Sequence, residues 1–388
     1  MRILLLSQLF STSRGGGEYV FSILAKKLAE KDHRVFVITN RIKDEKYKDL
    51  ENVSLVFVPP TIEYRGGIPP TAVENLRYSI NAIIKGYRII KKEKIDIIHS
   101  NNFAPALAGS VLSSLTGRPH IITIHDVLSL CGKNYWKIWA DQYYVSRNNL
   151  IVASFLDKMI LKLQHACTHT VSETTRDDLL LYGEKKPIHV IHNAVEEAKA
   201  EQADVSRHQL VYVGRLVFSK NVEIIIRAIG IARKKEPKIR LIIVGDGPHR
   251  KTLERITHGL GLDENIKFVG HVSEQEKTRY IASSCALVFP SVCEGFGIVI
   301  LEAFLQSRPV LVSNVRPMSE IVAHGNNGFV IEPYDATAWS EYFLRVIEDL
   351  QEADAMGKNG NELLATKYSQ DVMYQKLMSM YDSCLGAN

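Results

Sequence analysis

The chain has 388 residues, 46% hydrophobic and 23% charged, and its 48 Lys+Arg against 43 Asp+Glu give a formal charge of +5. That length calls for two or three domains with ample core, and the composition is ordinary for a soluble globular protein. So mild a cationic excess requires no nucleic-acid partner.

The opening MRILLLSQLF has too short an apolar core for a signal sequence, and the glycines and helical pattern behind it predict a first buried strand and its turn. Strands are then expected at Ile3–Ser7, Arg34–Thr39, Ser54–Val58, Ile95–His99, His120–His125 and His169–Val171. Helical patterns fill the gaps at Tyr19–Lys31, Ala72–Lys94 and Ala104–Leu115. Between Asp96 and Arg118 no residue is charged, but His99, Asn101, Asn102 and Pro105 exclude a spanning helix there. A second series of strands follows at Gln209–Val213, Arg240–Val244, Ile266–Val269, Ala286–Phe289 and Pro309–Val312. Short apolar runs alternating with longer helical patterns predict parallel sheets with helical crossovers, an α/β class. The same rhythm occurs twice, so two doubly wound, Rossmann-like domains are expected: 1–193 and 209–369, with the polar stretch 194–208 as linker and hinge. Five cysteines, Cys131, Cys167, Cys285, Cys293 and Cys384, are odd in number and lack metal-ligand spacing, so a reduced, cytoplasmic setting is expected.

In open parallel sheets ligands sit beyond the carboxyl ends of the strands, and there the chemistry-bearing residues fall. The first turn, STSRGGGE, carries Gly15, Gly16 and Gly17, which let backbone approach a ligand at a helix start, although a plain surface turn would use them too. His99 ends a strand ahead of Asn101 and is read as either a structural histidine or a substrate ligand. His125, followed by Asp126, ends another strand and is the stronger candidate; no serine elbow accompanies the pair. The stretch Lys133–Arg147, with Tyr135 and Trp136, mixes aromatics and cations that suit sugar stacking or an acceptor side, and part of it suits core. Lys85–Lys94 holds five cations and one acid, a solvated face by default and a peripheral membrane contact in the sharper reading.

The second half is more specific. Arg215 and Lys220 follow the strand ending at Gly214 and stand five residues apart, where a guanidinium and an ammonium can clamp a diphosphate. Gly245 and Gly247 form a tight turn in VGDGP. In FPSVCEGFGIVILEAF, Glu294 precedes Gly295, Phe296 and Gly297, and a helix opening near Gly297 aims the N–H groups around Ile298 and Val299 at an anion. Glu302 lies roughly 7–8 Å further along that helix. The two acids could instead form a glycosidase pair, which leaves the glycines and the helix end unused, or the stretch could be a buried turn.

Pro290–Ala303 resembles the signature of the retaining glycosyltransferases of family 4: Pro-Ser, a glutamate, Gly-Phe-Gly and a second glutamate. The resemblance covers most of the chain, strongest in the C-terminal half. Gly214–Leu216 with Lys220 is similar to the family's Gly-Arg-Leu and Lys-Gly, with Asn221 in place of that glycine; Thr123, His125 and Asp126 match its Thr-x-His-Asp. The resemblance implies the GT-B architecture, two Rossmann-like domains facing across a cleft, with the final helix, 370–388, packed back on the first. It implies a retaining hexosyltransferase, mannosyl or glucosyl in type, that uses a UDP-, GDP- or ADP-linked sugar. The acceptor would be a glycan, a lipid-linked saccharide or a small molecule, and the location the cytoplasm or the inner membrane face.

Glu294, His125, Arg215 and Lys220 would be catalytic. Donor binding would add Gly15–Gly17, Gly214, Gly245, Gly247, Gly270, Gly295–Val299 and Glu302, and His99, Asn101, Asp126, Tyr135 and Trp136 would lie on the acceptor side. No D-x-D occurs in the chain, so no cofactor and no metal are expected. A sugar-nucleotide epimerase, a phosphorylase or a non-catalytic nucleotide-sugar binder are the rival readings.

Overall fold

A computed structural model of the protein describes residues 1–11, 16–43, 45, 47, 50–64, 70–127, 130, 137–138, 141, 159–196 and 203–386. These fall into two compact units, the first drawn from Met1–Leu130, Ser146–Ala194 and Gln370–Asn388 and the second from Cys131–Val145 and Val195–Ser369.

The first unit is a parallel sheet of β1 (Arg2–Leu6), β2 (Arg34–Ile42), β3 (Val53–Ile62), β4 (Ile97–Ser100), β5 (His120–Ile124), β6 (Cys167–Thr170) and β7 (Ile188–Val190). Their order is β3-β2-β1-β4-β5-β6-β7. Helices cover the sheet, so β1 is buried from Ile3 on and reads as an apolar run, and β4 is buried even at His99 and Ser100. Helix α1 (Gly17–Glu30) buries Phe21, Leu24 and Leu28. α2 (Ala72–Glu93) and α3 (Ala104–Thr116) supply Tyr78, Ala82 and Leu112 to a core with Leu4, Leu6 and Ile38. α2 starts at a capping box between Thr71 and Glu74. The Tyr78 hydroxyl, fully buried, donates to the Ile38 carbonyl at 2.9 Å. α4 (Glu173–Tyr182) leads into β7, an edge strand of three half-buried residues that lacks the apolar run the sequence pattern relies on.

The second unit repeats the plan with β8 (Ser206–Val213), β9 (Arg240–Val244), β10 (Ile266–Gly270), β11 (Ser284–Phe289), β12 (Val310–Ser313) and β13 (Gly328–Ile331). The order is β10-β9-β8-β11-β12-β13, all parallel. Its helices are α5 (Val222–Ala232), α6 (Arg250–Gly259), α7 (Glu274–Ala282), α8 (Ile298–Leu305), α9 (Ala336–Glu348) and α10 (Leu350–Lys367), with a single helical turn at Met318–Ile321.

The last helix, α11 (Gln370–Gly386), belongs to the first unit. Asp371 pairs with Lys27 at 2.9 Å, Tyr374 meets His33 at 2.9 Å, and Tyr381 reaches His99 at 2.7 Å. Cys384 lies 2.9 Å from Cys167, sulfur to sulfur, with both thiols free. Cys293 is disulfide-bonded, which corrects the expectation of reduced thiols throughout; oxidation state follows which sulfurs meet in space, and cysteine count does not report that.

The predicted strands β1, β4, β6 and β12 shift by one or two residues, and β2 and β3 run on to Ile42 and Ile62, past their expected ends at Thr39 and Val58. β8 starts inside the stretch expected to be linker, because Ser206–His208 are exposed or half-buried and carry no apolar signal. Strand order reverses between β1 and β4 in one sheet and between β8 and β11 in the other. Ligand sites in such sheets form at these switch points, beyond the carboxyl ends.

Candidate active site

In the second unit the switch point is flanked by the loop after β8 and the loop after β11. The two are stitched together by one carbonyl. Ser219 O accepts from the buried Ser291 hydroxyl at 3.1 Å and from the Val292 N–H at 2.9 Å. Lys220 and Glu294 are thereby brought together, and Lys220 Nζ donates to Glu294 Oε1 with both side chains largely shielded from water. Lys220 Nζ also stands 5.6 Å from the Phe289 ring centroid, close enough for a cation–π contribution.

Tyr212, on β8, ties in the third charged group. Its hydroxyl donates to the Arg215 carbonyl at 3.0 Å. Burial pushes this phenol well above its usual value, the Glu294 charge pushes it further and Arg215 opposes, so both charges lie near it. Asn221 then turns the chain at φ +50°, ψ +33°. That left-handed conformation is one glycine would adopt and asparagine tolerates, so the replacement keeps the turn. Its side chain donates to the Pro333 carbonyl at 2.7 Å.

Gly297, at φ +95°, is the N-cap of α8, and the following N–H groups lack acceptors within the helix. Glu302, on α8, accepts from Lys277 Nζ at 2.9 Å. Burial lowers the Lys277 pKa, but Glu302 and Glu274 outweigh it and the net shift is upward. The Phe296 side chain is buried and packs edge-on against Tyr368 at 5.9 Å between centroids. Any ligand contact by Phe296 therefore falls to its backbone.

The glycines after β9 serve the loops themselves. Gly214 N–H donates to Val244 O at 3.0 Å, Leu216 N–H to Asp246 O at 3.0 Å, and Gly245 N–H to Gly270 O at 2.8 Å. A Cβ at Gly245 would lie 2.0 Å from Gly214 O, and one at Gly247 2.4 Å from Leu216 O. Three loops zip backbone to backbone here, and only glycine fits. Arg250 joins this edge, bonded to Asp246 at 3.2 Å and to Glu254 at 2.7 Å.

The first unit presents a different edge. A Cβ at Gly17 would sit 3.1 Å from His125 Nε2 and 3.5 Å from Asn101 Nδ2, so the start of α1 meets the ends of β4 and β5. His125 Nε2 is buried with no hydrogen-bond partner. Desolvation, aided by His169, pushes the His125 pKa down to about 3, so the ring is neutral at physiological pH. A neutral imidazole with an unpartnered nitrogen is poised to bond a neutral hydroxyl.

His99, by contrast, has both ring nitrogens engaged. A chain of bonds runs Tyr381 Oη–His99 Nδ1 (2.7 Å), His99 Nε2–Thr123 Oγ1 (2.6 Å), Thr123 Oγ1–His169 Nδ1 (2.9 Å) and His169 Nε2–Ile191 O (3.2 Å). The terminal carbonyl can only accept, so every proton position follows: His169 donates to it, Thr123 to His169, His99 to Thr123 and Tyr381 to His99. No nitrogen of His99 remains for a ligand, and of its two readings the structural one applies.

Gly16 lies in open space at the N-cap of α1, and Asp126 follows His125. Gly15, Tyr135 and Trp136 fall outside the described residues. Sequence reasoning missed Lys277, Tyr212 and Arg250. Tyr212 had a signal, a phenol inside a buried strand whose hydroxyl must find a partner. Nothing in the chain links Lys277 to a carboxylate 25 residues away.

Residues 194–363 match the family described as Glycosyl transferases group 1, and residues 14–199 match Glycosyltransferase Family 4. An uncharacterized glycosyltransferase of Methanocaldococcus jannaschii, MJ1178, is 29% identical over 362 residues, 92% of each chain. Sucrose-phosphate synthase from Thermosynechococcus elongatus superposes with a TM-score of 0.80 at 20% identity, covering 100% of both chains. Anabaena Alr3699/HepE, solved with UDP and glucose, superposes with a TM-score of 0.75 at 21% identity, covering 99% of this chain and 100% of that one.

Two Rossmann-like parallel sheets, matched by glycosyltransferase family models and superposing on glycosyltransferase structures of the GT-B fold, make this a glycosyltransferase of that fold. Within that class the chain belongs to glycosyltransferase family 4. No described helix is long and apolar enough to cross a membrane.

Proposed function

We propose that the enzyme moves a hexosyl group, glucosyl or mannosyl in type, from a nucleoside-diphosphate sugar to a hydroxyl of a glycan, lipid-linked or small-molecule acceptor. The anomeric configuration is retained and no metal is needed. The observation that carries this reading is the gathering of Lys220, Glu294 and Arg215 about the buried Tyr212 phenol beside the start of α8.

Cleavage of the bond between the anomeric carbon and the phosphate oxygen leaves an oxocarbenium-like sugar and a more negative diphosphate. Arg215, Lys220 and the N–H groups at Ile298 and Val299 take that negative charge. Lys220 exchanges Glu294 for phosphate, which frees the carboxylate to hold sugar hydroxyls and to favour the cationic carbon. Glu302 accepts from the ribose hydroxyls, as acids do in other dinucleotide folds. At the edge of the first unit, His125 offers its unpartnered Nε2 to a sugar hydroxyl. With two cations and a helix start facing the diphosphate, and no D-x-D in the chain, the protein itself supplies the neutralising charge. The UDP and glucose bound by Alr3699/HepE support a uridine donor as the first to try.

Thermal unfolding against UDP, GDP, ADP and their sugars, each with EDTA and with magnesium, tests the donor. At a hundredfold excess over Kd the true ligand should add about 2.7 kcal/mol of stability. NMR of the product then reads the anomeric configuration. Inverted product removes retention, a large gain in donor affinity with magnesium removes metal independence, and silence from every nucleotide removes the donor assignment.

A further inference from the structure

We propose that Cys167 and Cys384 are a peroxide-oxidisable pair whose disulfide fastens α11 to the sheet of the first unit. This goes beyond sugar transfer and uses residues with no part in it. Cys167 opens β6, and Cys384 lies in the last turn of α11. They stand 217 positions apart in the chain, yet their sulfurs are 2.9 Å apart and both thiols are free. The gap left to close is less than about 1 Å, within reach of side-chain rotation. Cys285, the third free thiol among the described residues, is buried on β11 in the second unit.

The two sulfurs are unequal. Cys167 keeps its proton and donates it to Cys384, and that hydrogen bond and burial both raise the Cys167 pKa. The same bond, helped by Ser383, holds Cys384 below the usual thiol range against the opposing effect of burial. The thiolate is the form that attacks peroxide, so Cys384 reacts first. It is also the sulfur that solvent reaches. Asp382, Ser383 and Gly386 are exposed around it, and the last turn of a helix opens locally at little cost. Cys167 instead sits in a strand buried throughout.

Hydrogen peroxide is the oxidant. The Cys384 sulfur attacks one peroxide oxygen, the O–O bond breaks, and hydroxide leaves while Cys384 becomes a sulfenic acid. The Cys167 sulfur then attacks the Cys384 sulfur. The S–S bond forms, the S–O bond breaks, and the departing hydroxide takes the Cys167 proton as water. Two thiols lose two electrons, and peroxide is reduced to two waters. The links of α11 to the first unit at Asp371, Tyr374 and Tyr381 are polar and reversible. The disulfide is covalent and lies beyond all three.

Peptide mapping of the full chain tests the proposal. The protein is reduced, desalted and treated with a few equivalents of hydrogen peroxide, then denatured in N-ethylmaleimide and digested without reductant. One species should join the Cys167 and Cys384 peptides, about 2 Da lighter than their sum, and reductant should separate them. Cys285 should carry N-ethylmaleimide throughout. In Cys167→Ser the sulfenic acid of Cys384 has no thiol to condense with and should be trapped by dimedone. Oxidation of the unmodified protein should slow hydrogen exchange along α11 at least about tenfold and raise its thermal unfolding by about 4 °C or more. Cys384→Ser should show neither change. The proposal is overturned if both sulfurs still carry N-ethylmaleimide after peroxide, or if either joins another cysteine or a second chain. It is overturned equally if Cys384 runs on to sulfinic acid while Cys167 stays free, or if the bond forms and exchange along α11 is unchanged.

Discussion

The two units share a strand order yet handle polarity at their functional edges in opposite ways. In the first, polar groups are kept neutral. His99, Thr123, His169 and Tyr381 satisfy one another beneath the sheet end, and His125 is held uncharged beside Gly17. In the second, they are kept charged and paired, Lys220 with Glu294 and Lys277 with Glu302. A parallel sheet thus fixes where a site forms but not its electrical character. Neutral imidazoles suit hydroxyls, and paired ions suit a ligand that brings its own charge and can trade partners.

Acid should separate the units most strongly. Burial pushes His125 and His120 down to about 3 and His169 to about 4, and it lowers His99 as well. These folded values lie below the unfolded one near ~6.5, so as pH falls the unfolded chain takes up protons first. Stability from these groups is complete above about pH 6.5 and drains as pH drops toward 4, by about 1.4 kcal/mol per pH unit for each histidine. Hydrogen exchange at pH 7 and pH 5 should show the first unit opening ahead of the second. Equal loss in both would erase the contrast.

Next in size is the charged pair. Glu294→Gln and Lys220→Met should each lower kcat by about 10²- to 10³-fold, with a smaller change in donor affinity for the glutamine. Near-normal turnover in either would remove the site from the second unit.

The neutral network is the third lever. Tyr381→Phe leaves His99 Nδ1 buried without its donor and should cost about 1–3 kcal/mol, with faster exchange along α11 and little change in donor binding. Smallest is Asn221→Gly, which keeps the left-handed turn and loses one hydrogen bond to Pro333; about 1 kcal/mol or less is expected. Asn221→Val, strained at that φ, should cost more, about 1–3 kcal/mol. If valine proves as benign as glycine in a denaturant titration, the turn is not under conformational control.

Much of this was legible before any fold was seen. α8 begins where Gly297 predicts, β1 and β5 lie within a residue of their apolar runs, and α2 ends one residue short of the expected Lys94. The strands β7 and β13 were not legible. The first is a half-buried edge, and the second opens on Gly328, which packs against the Val310 carbonyl and shows only a short run. Gly245 and Gly247 looked like ligand glycines in the chain. The fold gives each a separate reason, a carbonyl too close for any Cβ.

Local pattern alone determined the alternation of strands and helices, the turns that carry Arg215, Lys220, Glu294 and Gly17, and the left-handed corner that Asn221 can hold. Those depend on neighbours a few residues apart, which a linear reading contains. Strand order, and with it which turns share a switch point, was decided only by tertiary structure. So were the Lys277–Glu302 pair, the proton order of the histidine chain and the meeting of Cys167 with Cys384. Each depends on what is buried and what stands beside it, and burial is a property of the packed chain.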